Sequence, residues 1–185
     1  MSSHATEETL DAGLEHIRQA PADGGQLMMI VRRPAREARE VLETGELCVE
    51  RGLVGDNWAD RGSSRTKDGS AHPDMQVNIM NARATQLIAG NEERWPLAGD
   101  QLYVDLDLSE ANVPPGTRLA IGDAIVEVTD QPHLGCQKFK ARFGEAALRF
   151  VNSDTGKALH LRGINARVVR PGTIRRGDKI LRNDP

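Results

Sequence analysis

Between residues 102 and 108, Leu102, Val104, Leu106 and Leu108 alternate with Tyr103, Asp105 and Asp107. Successive side chains of a strand point to opposite faces, so this period of two predicts a strand with one buried and one wet face. Weaker β-rich runs lie at 27–31, 76–80, 124–129 and 164–169. Gly-Asp dipeptides punctuate the chain at Gly55-Asp56, Gly99-Asp100, Gly122-Asp123 and Gly177-Asp178, each beside a strand-like run. Pro115-Gly116-Thr117 and Pro171-Gly172-Thr173 each open a short run that a Gly-Asp closes, which is repeated turn chemistry rather than a structural repeat. Many short strands separated by Gly/Pro turns predict a mainly-β barrel or sandwich.

Helical signals are fewer. Leu10, Leu14 and Ile17 sit at helical spacing before Pro21 to Gln26 interrupts the chain, so residues 1–26 read as an N-terminal helical extension. The charged segment Pro34 to Leu42 is compatible with a helix that starts at its proline. Two more helices are expected at 82–89, with Asn81 as N-cap, and at 144–151. At 185 residues the chain suits one domain with a substantial core.

The 24 Lys and Arg balance 27 Asp and Glu, a formal charge of −3 that gives no overall pull toward nucleic acid or an anionic membrane. Aromatic residues make up 3% of the chain, too few for base-stacking platforms. The N-terminus has no apolar signal core and no run is long enough to span a bilayer. With only Cys48 and Cys136, a reduced, cytoplasmic protein is expected. No phosphate-binding glycine loop or dinucleotide fingerprint is present, nor a flavin, haem or iron–sulfur signature.

The stretch richest in chemistry runs from Thr129 to Phe143. Pro132 and Gly135 force an irregular loop that carries Cys136, and Lys138, Lys140 and Arg142 follow it. A thiol becomes a nucleophile or ligand once ionised, and neighbouring cations favour the thiolate and can also hold an anion. A buried cysteine beside solvated lysines is the alternative. His133, Cys136 and His160 together make a candidate zinc site. Arg61, Arg65 and Lys67 in the polar loop 61–73 are candidate phosphate contacts or a solvated charge cluster. Cys48, between Leu47 and Val49, is expected to pack in the core, and Asp56 and Asp123 to serve turns.

Gly52-Leu53-Val54-Gly55-Asp56, the run from Pro115 to Ala124, Cys136 with the basic segment Lys138 to Phe143, and Gly163 to Val168 with the Gly177-Asp178 turn recur in one order. That order resembles the MOSC family, named for the C-terminal domain of molybdenum cofactor sulfurases, in its stand-alone bacterial form. The likeness spans about residues 27–182. It implies a MOSC-type β-barrel with a cleft for molybdenum cofactor or a sulfur species, and places Cys136 as metal ligand or persulfide carrier. Cofactor contacts would come from Lys138, Lys140, Arg142, His133, Arg61 and Arg65. An oxidoreductase acting on N-hydroxylated compounds and a sulfur-transfer protein are the implied activities, each with a separate electron or sulfur donor. Pyridoxal phosphate chemistry belongs to another domain of the sulfurases. Where many members carry Gly-Glu-Asn, this chain has Gly99-Asp100-Gln101, which keeps the chemistry and changes its reach. A non-catalytic barrel that binds an anion or a partner protein is the rival reading.

Overall fold

The structure is a computed structural model that describes residues 4–183, so residues 1–3 of the N-terminal extension lie outside it. In chain order the strands are β1 (Gly25–Arg32), β2 (Glu40–Leu42), β3 (Thr44–Cys48), β4 (Gly52–Leu53), β5 (Val77–Asn81) and β6 (Leu102–Asp105). They continue as β7 (Arg118–Ile121), β8 (Ala124–Val128), β9 (Ile164–Arg170), β10 (Gly172–Arg175) and β11 (Lys179–Arg182). The helices are α1 (Glu7–Arg18), α2 (Trp58–Arg61), α3 (Ala82–Ala89), α4 (Gln137–Asn152) and α5 (Asp154–Ala158), with 3₁₀ turns at Pro73–Met75 and Glu92–Ala98.

Seven strands in the order β11-β7-β8-β9-β5-β6-β1 close into a barrel when Gly25 pairs with Ile180 and Gln26 with Lys179. Closure leaves the barrel without a free edge. β2 hangs on β1, and β10, β3 and β4 form a separate small sheet. Within the barrel only β5 and β6 run parallel, with Ile79 opposite Leu102. A parallel pair needs a crossover, and here α3 and the Glu92–Ala98 turn supply it, returning the chain to one end of the barrel at Gly99.

The period of two separates two cores. Val77, Ile79, Leu102 and Val104 fill the barrel, whereas Met80 and Tyr103 face an outer core shared with α1, α3 and α4. A bulge in β1 between Leu27 and Met29 lets the strand keep Leu27 and Ile30 inside. In the outer core Leu10 of α1 and Phe139 and Phe143 of α4 are fully enclosed. Each such side chain contributes about 1.5–3 kcal/mol by leaving water.

The mainly-β barrel is as expected, and Asn81 does cap α3, accepting from the Ala84 amide. Four local expectations change. Tyr103 is not on a wet face: it is buried, its hydroxyl donates to the Trp95 carbonyl at 2.7 Å, and its ring tilts against Trp95. The segment 34–42 is a turn and then β2, because Glu40, Val41 and Leu42 pair with Arg32, Val31 and Ile30, and Arg32 bonds Glu40 at 2.7 Å. A partner strand outweighs helical propensity there. The helix expected at 144–151 starts at Gln137 and breaks at Gly144, whose φ of 92° and ψ of 172° suit only glycine. Cys48 ends β3 half-buried rather than in the core, its thiol donating to Glu50.

Candidate functional site

The crossover that joins β5 to β6 ends in four successive carbonyls, and four arginines from distant parts of the chain satisfy them. Arg39 donates to Pro96 (3.1 Å), Arg142 to Leu97 (2.8 Å), Arg162 to Ala98 (2.9 Å) and Arg33 to Gly99 (2.7 Å). The last carbonyls of a helix have no internal partners and carry partial negative charge, so cations gather there. Gly99 makes the sharp stop possible with a left-handed φ of 91°. Carbonyls hold the guanidinium groups in place without neutralising them.

The result is a cationic cleft of about 430 Å³ between this turn and the start of α4. Arg33, Arg36, Arg39, Arg61, Lys138, Arg142 and Arg162 line it against one carboxylate, Glu37. Arg33 is the most fully compensated, its Nε and Nη2 reaching both oxygens of buried Asp56 at 2.8 and 2.9 Å. Glu37 bonds Arg142 at 2.7 Å, which holds its carboxyl below the usual range. Crowding shows in the others. Burial first, then Arg142 and Arg33, loosens the proton on Arg39. Burial and then Arg33 do the same to Arg61, which keeps an exposed surface. A bound anion would relieve both.

Cys136 is an exposed free thiol in the wall of this cleft. It is the N-cap residue of α4 rather than the middle of a loop. Asn152, at the far end of α4, holds the preceding Gly135 by both backbone groups, at 2.8 and 3.1 Å. Phe139, one turn on, packs under Arg162, whose guanidinium carbon lies 5.0 Å from the ring centre.

Among the residues singled out in the sequence, Cys136, Lys138, Arg142 and Arg61 meet at this cleft. Lys140 does not line it; its ammonium pairs with Glu145. Arg65 and Lys67 do not line it either. Their loop folds on itself, with Ser63 bonded to Gly69 and Thr66 to Ser70, and both side chains stay exposed. His133 and His160 lie across the Cys136 loop on another cavity, with His133 bonded to Asp100 and His160 to the Leu108 carbonyl, each at 2.7 Å. Among the described residues no group of three His, Cys, Asp or Glu side chains could hold a metal ion, so the structure does not assemble His133, Cys136 and His160 as zinc ligands.

Arg33, Arg36, Arg39, Arg162 and Asn57 went unrecognised in the sequence. The spacing of three between Arg33, Arg36 and Arg39 was the available signal; nothing local marks Arg162. Asp56 is no simple turn residue, being buried on Arg33 while also accepting from the Trp58 amide. Asp100 does not line the cleft; it is fully buried between Arg162 and His133.

No helix among the described residues is long and apolar enough to cross a membrane. In overall shape the chain is similar to the YUAD protein of Bacillus subtilis, at 15% identity and a TM-score of 0.63, covering 84% of this chain and 93% of that one. It is also similar to YiiM of Escherichia coli, at 20% identity and a TM-score of 0.56, covering 86% and 70%. YiiM of Geobacillus stearothermophilus gives 16% identity, the same score, and 86% and 75% coverage. At these identities the likeness is one of fold. Among curated protein sequences, none matches. Residues 66–181, more than half of the chain, match the family described as the MOSC domain. A closed barrel that presents a cysteine to an arginine-rich cleft thus has its family: the chain belongs to the MOSC domain family.

Proposed function

We propose that the Cys136 cleft binds an anionic, phosphate-bearing cofactor of the molybdopterin class, with the Cys136 thiolate as sulfur ligand to the metal. The family is linked to that cofactor. The observation that carries the reading is an exposed thiol in the wall of a cleft with seven cationic side chains and one carboxylate.

The residues present fit such a group. Arg36, Arg61 and Lys138 line the cleft, and their side chains make no hydrogen bond or ion pair among the described residues, which leaves them available to phosphate. The Oδ1 of Asn57, also at the cleft, is buried without a donor, and a pterin carries N–H groups that would supply one. A thiolate suits a soft or high-valent metal centre. When bound, the group would supply redox chemistry, and an oxidoreductase that takes electrons from a separate donor protein is the activity we assign. This chain's own part is to fix the anion with its arginines, present the thiolate, and exclude water with Phe139 and Arg162. Both cysteines are free thiols, in keeping with a reducing, cytoplasmic setting.

The test is metal and pterin analysis of protein from molybdate-supplemented cells, on wild type and Cys136→Ala. Near-stoichiometric molybdenum and pterin in wild type, with the metal lost in Cys136→Ala, is the expected result. A mass increase of one sulfur after treatment with a cysteine desulfurase, with no metal retained, would instead make Cys136 a persulfide carrier. Protein that carries no metal, no pterin and no added sulfur would sink the cofactor reading.

A further inference from the structure

A second cavity, of about 480 Å³, lies on the other side of the Cys136 loop. Val128, Val151 and Ile164 give it apolar walls, and His133, His160 and Arg162 line it as well. The two histidines are fixed in a particular way. Burial opposes a charge on Asp100, but Arg162 and then His133 hold its carboxyl below the ordinary range, so it is a carboxylate. A carboxylate only accepts, which puts the ring hydrogen of His133 on Nε2, 2.7 Å from Asp100, and leaves Nδ1 a bare acceptor. Burial, then Arg162, pulls the His133 ring below its ordinary range against the opposing pull of Asp100, which favours the neutral form. His160 donates from Nδ1 to the Leu108 carbonyl at 2.7 Å, so in its neutral form Nε2 is the bare acceptor.

Neither bare nitrogen has a protein partner among the described residues, and neither is among the sealed, unpaired atoms of the interior. Both residues line the cavity. His160 is held there at a φ of 48°, a left-handed conformation that residues other than glycine rarely adopt. Between the two cavities, the Nε hydrogen of buried Arg162 lacks an acceptor. No three metal-ligating side chains converge among the described residues, so the two lone pairs call for hydrogen-bond donors rather than an ion.

Charge narrows the choice. Glu110, Asp130 and Asp154 line the cavity, with Lys157 as the one cation not already engaged, since Arg162 is paired with Asp100. This is the reverse of the Cys136 cleft. We propose that the second cavity binds a small organic amine, a neutral or cationic molecule with an apolar body and more than one N–H donor, recognised by His133 Nδ1 and His160 Nε2. The assignment uses neither Cys136 nor a cofactor, so it stands or falls separately from the cofactor reading.

The experiment is NMR of the imidazole ring nitrogens in histidine-labelled protein, titrated with benzylammonium or with benzoate, a similar body of opposite charge. Single His133→Gln and His160→Gln variants assign the resonances. Benzylammonium is expected to bind at least about tenfold more tightly than benzoate, and to shift His133 Nδ1 and His160 Nε2. Lys157→Glu, an exposed change that spares the fold, is expected to tighten benzylammonium several-fold. Equal or tighter binding of benzoate overturns the proposal, as does benzylammonium that leaves both nitrogens unmoved. An unchanged affinity in Lys157→Glu removes the charge argument and the amine assignment with it.

Discussion

The Nη1 of Arg162 lies 2.7 Å from Oδ2 of Asp100, and this buried ion pair is a partition between two cavities of opposite character. Arg162 lines both of them, and the other carboxylate oxygen of Asp100 fixes His133, which lines the second cavity. A single buried carboxylate therefore sets a guanidinium and an imidazole tautomer at once. Burying it is tolerable because both oxygens are bonded to cationic or donor groups, each at 2.7 Å.

Asp100→Asn tests that arrangement. It keeps the volume but leaves Arg162 buried without its counter-charge and turns an amide donor toward another donor. Breaking one side of a buried pair costs about 3–5 kcal/mol, so urea unfolding should show a loss of that order. A loss under about 1 kcal/mol would mean that the pair is solvated or replaceable.

Stability should also fall toward acid in two stages. Both His133 and Asp100 have folded-state pKa values below their unfolded ones. For a depressed pKa, the contribution is complete above the unfolded value and is lost as pH falls, because the unfolded chain takes up the proton first. The His133 share should begin to go near pH ~6.5 and that of Asp100 near ~3.9, the unperturbed values. Urea midpoints from pH 8 downward should slope below ~6.5 in wild type, and that slope should flatten in His133→Gln. An equal slope in the variant would assign it to other groups.

The strands could be read ahead of the structure because their cause is local. Alternation at Leu102 to Leu108, Gly-Asp turns and the Asn81 cap all act within a few residues. Cys136 stood out for the same reason, with Lys138 and Arg142 close behind it. The arginine cleft has no local cause: Arg33 and Arg162 meet only because the 3₁₀ turn ends in carbonyls beside both. His133 and Cys136, three residues apart, looked like partners, yet the loop between them divides the cavities, so proximity in sequence misled. Segment 34–42 failed for a third reason, since propensity cannot see the strand that waits to pair with it.

Arg61 offers a clean probe of the cationic cleft, because its side chain makes no hydrogen bond or ion pair among the described residues and is already crowded by Arg33. Arg61→Ala should leave stability within about 0.5 kcal/mol of wild type. Affinity for pyrophosphate, measured calorimetrically at low salt, should drop about tenfold, which corresponds to ~1.4 kcal/mol. Raising the salt should weaken wild-type binding more than binding by the variant. Unchanged pyrophosphate affinity would take Arg61 out of the anion site.

Asn152 should govern how Cys136 reacts without touching it. Its amide holds Gly135 from both sides, so the residue before the thiol is fixed to the far end of α4. In wild type, Cys136 is exposed beside cations, whereas Cys48 is half-buried with its thiol on the Glu50 carboxylate. An anionic disulfide reagent should therefore modify Cys136 first, and faster at low salt, while a neutral maleimide should show little salt dependence. Asn152→Ala frees the Gly135 amide and carbonyl and lets the loop sample positions away from the arginines. The salt dependence of the anionic reagent should shrink in that variant, while circular dichroism stays native. Asn152→Asp can still accept from the Gly135 amide but cannot donate to its carbonyl, so it should fall between the two. If both variants react with the wild-type salt dependence, the arginines hold their relation to Cys136 without the clamp, and α4 alone positions the thiol.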